Sequence, residues 1–190
     1  MVKNAEIDPQ STVLLCVDVQ NGFISDYTKK ALPRIHSLVR REDFAVKIAS
    51  QFINGEGSSF RTLIRWDRLS PASFDIQIDP VVKSNVDLIF PKFTYGHAAE
   101  VLSVMRSRNV NDILLVGIDT DVCVLQNAGQ LFDLGARVYV DLDGCASNGG
   151  PEADHAAGRL MERTIGRDQV FGTGRPLQLG KVAKSVERTA

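Results

Sequence analysis

Residues 12–19 read TVLLCVDV, an unbroken apolar run from Val13 to Val17 that stops at Asp18. Side chains in a strand alternate between its two faces, so a run apolar at every position has no face to give to water. It suits a strand of a parallel sheet covered on both sides. Working outward, 61–66 (RTLIRW), 86–90 (VDLIF), 112–117 (DILLVG) and 137–142 (RVYVDL) repeat the pattern of a short apolar run that turns abruptly polar, and Val170–Phe171 begins a sixth. Between these runs lie segments with helical spacing. In 97–108, Val101, Leu102 and Met105 form one apolar face. After 112–117, Thr120 is a plausible N-cap, Val122, Leu125, Ala128 and Phe132 recur at three- and four-residue intervals, and Gly135 supplies the stop. Residues 151–165 and roughly 35–52 make two further helices. Strands alternating with helices of this length imply right-handed crossovers and an α/β protein, a three-layer α/β/α sandwich around a mainly parallel, Rossmann-like sheet of about six strands.

The chain has 190 residues, which leads us to expect one domain over 1–190, with its core at about 12–171 and a polar tail at 172–190 on the surface or across a subunit partner. Hydrophobic residues make up 44% and charged residues 24%, which excludes disordered and collagenous classes. Lys and Arg number 22 against 23 for Asp and Glu, a net charge of −1 with no basic block, so no nucleic-acid partner is expected. The first ten residues carry charges and no apolar signal segment, and no run approaches the length of a membrane span, pointing to a cytoplasmic protein without membrane association. Three cysteines in a chain of this length read as reduced thiols with separate roles and not as a disulfide framework.

Parallel sheets of this kind bind ligands in the crevice beyond the carboxyl ends of their strands. Four segments fall there: 18–23 (DVQNGF), 91–96 (PKFTYG), 117–124 (GIDTDVCV) and 143–147 (DGCAS). They bring together an acid, Asp18, a base, Lys92, and a thiol, Cys123. A cysteine in an apolar helix is ordinarily a small packed hydrophobe; its place just past a strand end sets Cys123 apart. In the first helical turn, the free N–H groups and the positive end of the dipole favour a thiolate. Lys92 would add charge, and Asp18 would accept the proton. Cys16 lies within the first strand and reads as core, while Cys145 sits in a loop. His36, His97 and His155 are too scattered for a metal site, and 141–144 (DLDG) lacks the remainder of a calcium loop, so no metal is expected. Residues 12–25 hold no Gly-x-Gly-x-x-Gly, and the chain has neither a Walker loop nor a Gly-x-Ser-x-Gly elbow, which leaves the thiol as the source of chemistry.

From about residue 12 to 171 the chain resembles the isochorismatase-like cysteine hydrolases, which include nicotinamidases, N-carbamoylsarcosine and ureidoacrylate amidohydrolases, and isochorismatases. Residues 117–128 (GIDTDVCVLQNA) are similar to the family's Gly-x-x-Thr-x-x-Cys-Val-x-x-Thr-Ala, and 18–23 match its Asp-x-Gln-x-x-Phe. Lys92 matches its lysine, 143–147 its Asp-Ala-x-x-Ser, and His155 the histidine that opens the following helix. The resemblance implies a catalytic triad in which Asp18 is the general base, Lys92 lowers the thiol pKa, and Cys123 attacks a carbonyl carbon of a small-molecule amide or ureido compound to form a thioester. It further implies an oxyanion hole from the backbone N–H groups of Asp119 and Cys123, a cis peptide between Ile118 and Asp119, and a homodimer or homotetramer. Phe23, Trp66, Tyr95, Arg65 and Asp119 are candidate pocket walls. The Asp-x-His…His metal site of nicotinamidases has no counterpart in 38–70, so neither metal nor organic cofactor is expected. Asn127 and Gly96-His97-Ala98 depart from the family pattern and leave the substrate open. The alternatives are a vinyl ether hydrolase of the isochorismatase type and a catalytically silent binding or assembly protein.

Overall fold

The computed structural model describes residues 6–172 and 174–180. In chain order the elements are β1 (Glu6–Ile7), β2 (Thr12–Val17), α1 (Leu32–Val39), β3 (Val46–Phe52), α2 (Ser59–Thr62), α3 (Pro80–Asn85), β4 (Leu88–Lys92), α4 (Ala98–Ser107), β5 (Asp112–Ile118), α5 (Leu125–Asp133), β6 (Arg137–Ala146), α6 (Pro151–Thr164), β7 (Val170–Phe171) and β8 (Gln178–Leu179). Six of the strands form one parallel sheet in the order β4-β3-β2-β5-β6-β7. The short β1 and β8 pair separately.

The alternation along β2 divides the core. Val13, Leu15 and Val17 pack on one face with Val101 and Met105 of α4, Ala128 and Leu131 of α5, and Met161 of α6. Leu14 and Cys16 pack on the other with Ile35, Leu38 and Val39 of α1 and Val82 of α3. These five side chains of β2, Val13 to Val17, are wholly withdrawn from water, which suits a run with no polar position. The result is a three-layer α/β/α sandwich. The chain leaves β2 toward β3 and β4 on one side and resumes with β5 on the other, so the topological switch lies between the carboxyl ends of β2 and β5.

Two expected elements differ. Residues 35–52 are not one helix: α1 ends at Val39, and 46–52 form β3, the second strand from the sheet's edge. Polar side chains inside β3 hide its character. Lys47 is buried with its ammonium donating to Val39 O at 3.1 Å, and Ser50 is wholly buried. Residues 61–66 are not a strand; they finish α2 and loop back, leaving Leu63 78% and Ile64 59% exposed. An apolar run alone does not make a core strand when no layer covers it. Residues 69–80 are tied to the segment after β2: Asn21 N–H donates to Gln77 O and Gly22 N–H to Asp75 O at 2.8 and 2.9 Å. Cys145, expected in a loop, ends β6 and is buried. Residues 181–190 of the expected tail lie outside the described residues. Among the described residues, no helix is long and apolar enough to cross a membrane.

One glycine is required where β5 meets β2. Gly117 has φ +141°, and a Cβ there would stand 2.1 Å from Val17 O. The β5–β6 register also shifts between Leu115 and Gly117. Gly117→Ala is therefore expected to destabilise the protein by about 3 kcal/mol or more in urea unfolding; a loss below about 1 kcal/mol would show that the strands part without cost.

Candidate active site

Asp18 follows β2 directly, in a left-handed conformation with φ +49°, and is 0% exposed. Lys92 is the last residue of β4 and is 3% exposed. Cys123 lies in a π-helical turn, Thr120–Val124, that leads into α5. Three strand ends thus deliver three side chains to one point. Lys92 Nζ is 2.7 Å from Asp18 Oδ2 and 3.7 Å from Cys123 Sγ.

The lysine is held from behind. Its ammonium donates to Thr94 O at 2.9 Å and Tyr95 O at 2.8 Å and sits 5.1 Å from the Phe52 ring centroid. Asp18 and those carbonyls hold the ammonium at shorter range than the sulfur, to which it makes a long hydrogen bond of 3.7 Å and lends its charge. Asp18 is fixed from the other side: Ser50 Oγ donates to Asp18 Oδ1 at 2.6 Å and accepts the Asp18 N–H at 3.0 Å. The buried Ser50 that obscures β3 in the sequence is therefore part of this site.

These surroundings set the state of the thiol. Burial pushes the Cys123 thiol well above the ordinary cysteine range, and the Asp18 carboxylate raises it further by its charge and a hydrogen bond; Lys92 pulls the other way without prevailing. These surroundings favour the neutral thiol beside the Asp18–Lys92 pair and oppose the thiolate that the helix start favours. Thr120 is not the N-cap either. Asp119 takes that position, and Thr120 Oγ1 donates to Asp154 Oδ1 at 2.7 Å.

Side chains from neighbouring elements brace the turn. The Ile118–Asp119 peptide is cis. Asn148 donates from its backbone N–H and from Nδ2 to Asp119 Oδ1, both at 2.8 Å, and Nδ2 also reaches Phe23 O at 3.0 Å. Asn127, the departure from the family pattern, donates from Nδ2 to Cys123 O at 2.8 Å and accepts the His97 N–H at 3.1 Å on Oδ1. It thereby joins the lysine loop to the cysteine turn. Neither Asn148 nor Ser50 stands out in the sequence, because polar residues in loops and strands carry no spacing signal for partners so far along the chain.

Above Cys123 lies a cavity of about 160 Å³ whose walls include Phe23, Phe60, Trp66, Tyr95 and Asp119. Phe23 stacks on Trp66 with centroids 5.9 Å apart, and Phe60 meets Tyr95 edge-on at 4.9 Å. Arg65 is exposed and does not line the cavity. A larger groove of about 660 Å³ runs between β6 and α6; His155 lies there, and none of Asp18, Lys92 or Cys123 does. His36 pairs with Asp79 at 2.9 Å, while burial and Lys92 push the pKa of His97 down. Among the described residues, no three His, Cys, Asp or Glu side chains are grouped to hold a metal ion.

The arrangement matches a known family. The family model described as "Isochorismatase domain" covers residues 12–167, and the chain belongs to the isochorismatase family. Among solved structures, an isochorismatase-like hydrolase from Alkaliphilus metalliredigens superposes with a TM-score of 0.74 at 18% identity, covering 84% of this chain and 93% of that one. A pyrazinamidase/nicotinamidase from Streptococcus mutans UA159 gives 0.72 at 16% identity, covering 90% and 100%. Isochorismatase family protein 1A of Dictyostelium discoideum is 24% identical over 75% of this chain. The chain spans 66% of the length of that relative.

A buried pair this dry is costly to break and cheap to replace whole. Lys92→Met, which strands the Asp18 carboxylate, is expected to lower unfolding free energy by about 3–5 kcal/mol. Adding Asp18→Asn to it should restore most of that loss in the same denaturation assay; a double variant no more stable than the single would contradict the buried-pair account.

Proposed function

We propose that this protein is a cysteine amidohydrolase that cleaves the C–N bond of a small amide or ureido compound through a thioester on Cys123. The observation that carries this reading is a thiol at the floor of an aromatic cavity, with a buried carboxylate behind it as proton acceptor and an ammonium 3.7 Å away.

The steps follow from that placement. With a carbonyl carbon over Sγ, Asp18 takes the thiol proton as the S–C bond forms, so charge appears on sulfur only as it is consumed. The tetrahedral oxygen is received by the N–H groups of Asp119 and Cys123, donors held in place before the reaction begins. Asp18 then returns its proton to the leaving nitrogen, the C–N bond breaks, and ammonia or an amine departs. Water attacks the thioester, Asp18 accepts its proton, and the S–C bond breaks to release the acid and restore the thiol. Throughout, Lys92 keeps a positive charge beside whichever of sulfur or carboxylate is negative. No metal or organic cofactor enters these steps.

The test is ammonia release from a library of small amides. Wild-type protein should turn over at least one member, and Cys123→Ala should reduce that rate by at least about 10³-fold while remaining folded by circular dichroism. Asp18→Asn should reduce it by about 10²–10⁴-fold. Activity retained by Cys123→Ala would overturn the nucleophile assignment.

A further inference from the structure

The cavity above Cys123 has one sign of electrostatics. Five of its walls are aromatic rings, Phe23, Phe52, Phe60, Trp66 and Tyr95, and among the described residues its one carboxylate wall is Asp119. No Lys, Arg or His lines it. Lys92 is 3% exposed, and its ammonium is shared among Asp18, Thr94 O, Tyr95 O and, at 3.7 Å, Cys123 Sγ. An anionic substrate would meet no counter-charge here, and it would face both Asp119 and the negative faces of the rings.

Asp119 itself is half used. Both hydrogen bonds to its carboxylate, from Asn148 N and Nδ2, fall on Oδ1, while Oδ2 accepts none from the described residues. The side chain is half-buried, and burial has pushed its pKa up to about 6. A carboxylate in that setting is stabilised by a cation close to it. Asp119 and Cys123 line the same cavity, and the Asp119 charge acts on the thiol.

We infer that the cavity selects small cationic substrates, with a positive group of the ammonium or guanidinium kind set against the Asp119 carboxylate and the aromatic walls. This deepens the amidohydrolase reading and rests on it for the reacting carbonyl, which lies at Cys123 Sγ. The size agrees: a dry cavity comparable to this one admits a single benzene ring. The substrate is therefore one ring or a compact chain bearing the charge at one end and the amide at the other. Selection works both ways, because Asp119 attracts the cation and repels carboxylate-bearing amides and vinyl ethers.

The test reads binding apart from turnover. At pH 8, alkylation of Cys123 by iodoacetamide is followed by peptide mass with benzylammonium, benzyl alcohol or benzoate as competitor, in wild type and in Asp119→Asn. Benzylammonium should half-protect Cys123 at a concentration at least about 10-fold below either other probe, a difference of about 1.4 kcal/mol. In Asp119→Asn the benzylammonium advantage should shrink by at least about 5-fold, leaving only what the aromatic walls supply. Equal protection by benzyl alcohol, tighter protection by benzoate, or a cation preference undiminished in Asp119→Asn would overturn the inference. A cation preference without hydrolysis of any amide would uphold the charge selection and defeat the amidohydrolase reading, so the two fail separately.

Discussion

A carboxylate and an ammonium 2.7 Å apart, both almost wholly removed from water, form the constraint on which the rest of this site depends. Desolvating two charges costs several kcal/mol each, and their mutual attraction offsets this only when the remaining valences are filled. Here three partners fill them: Ser50 of β3 donates to the carboxylate, and the carbonyls of Thr94 and Tyr95 accept from the ammonium. The pair and those partners sit at the ends of β2, β3 and β4, so the sheet must be parallel and in register for the pair to exist. The left-handed backbone at Asp18 and the close passage of Gly117 over Val17 are the local distortions that let β2 and β5 present their ends together.

The same pair explains how a buried thiol can react. A free thiolate this far from water would be poorly solvated, and the adjacent carboxylate opposes its formation. Moving one proton from sulfur to Asp18 leaves the net charge of the group unchanged, with Lys92 beside both atoms. The thiol of Cys16, deep in β2, is pushed up to about 12 by burial against the opposing charge of Lys47.

Much of this was legible in the sequence because it follows from periodicity. The unbroken run at 13–17, the apolar faces of α4 and α5, and the polar residues just past strand ends led to the sandwich and to Asp18, Lys92 and Cys123 as neighbours. What escaped reading has a common cause. β3 carries Lys47, Ser50 and Gln51, polar residues whose partners lie on other elements, so its pattern resembles a continuing helix; the polar break at 40–43 was the available signal. Residues 61–66 look like a strand, yet their apolar side chains stand over the cavity mouth or in water. The protonation state of Cys123 is set by burial and by Asp18, neither of which spacing reveals.

The central claim is that Cys123 is a protonated thiol until Asp18 takes its proton. It is tested most directly by titrating thiolate ultraviolet absorbance in wild-type protein against Cys123→Ala, a difference in which Cys16 and Cys145 cancel. The account predicts no thiolate signal from Cys123 at neutral pH, with onset only above the range of a free cysteine, about 8.5. A full thiolate step below pH 7 would contradict it, because the site would then hold a standing thiolate–ammonium pair and Asp18 would have no proton to accept.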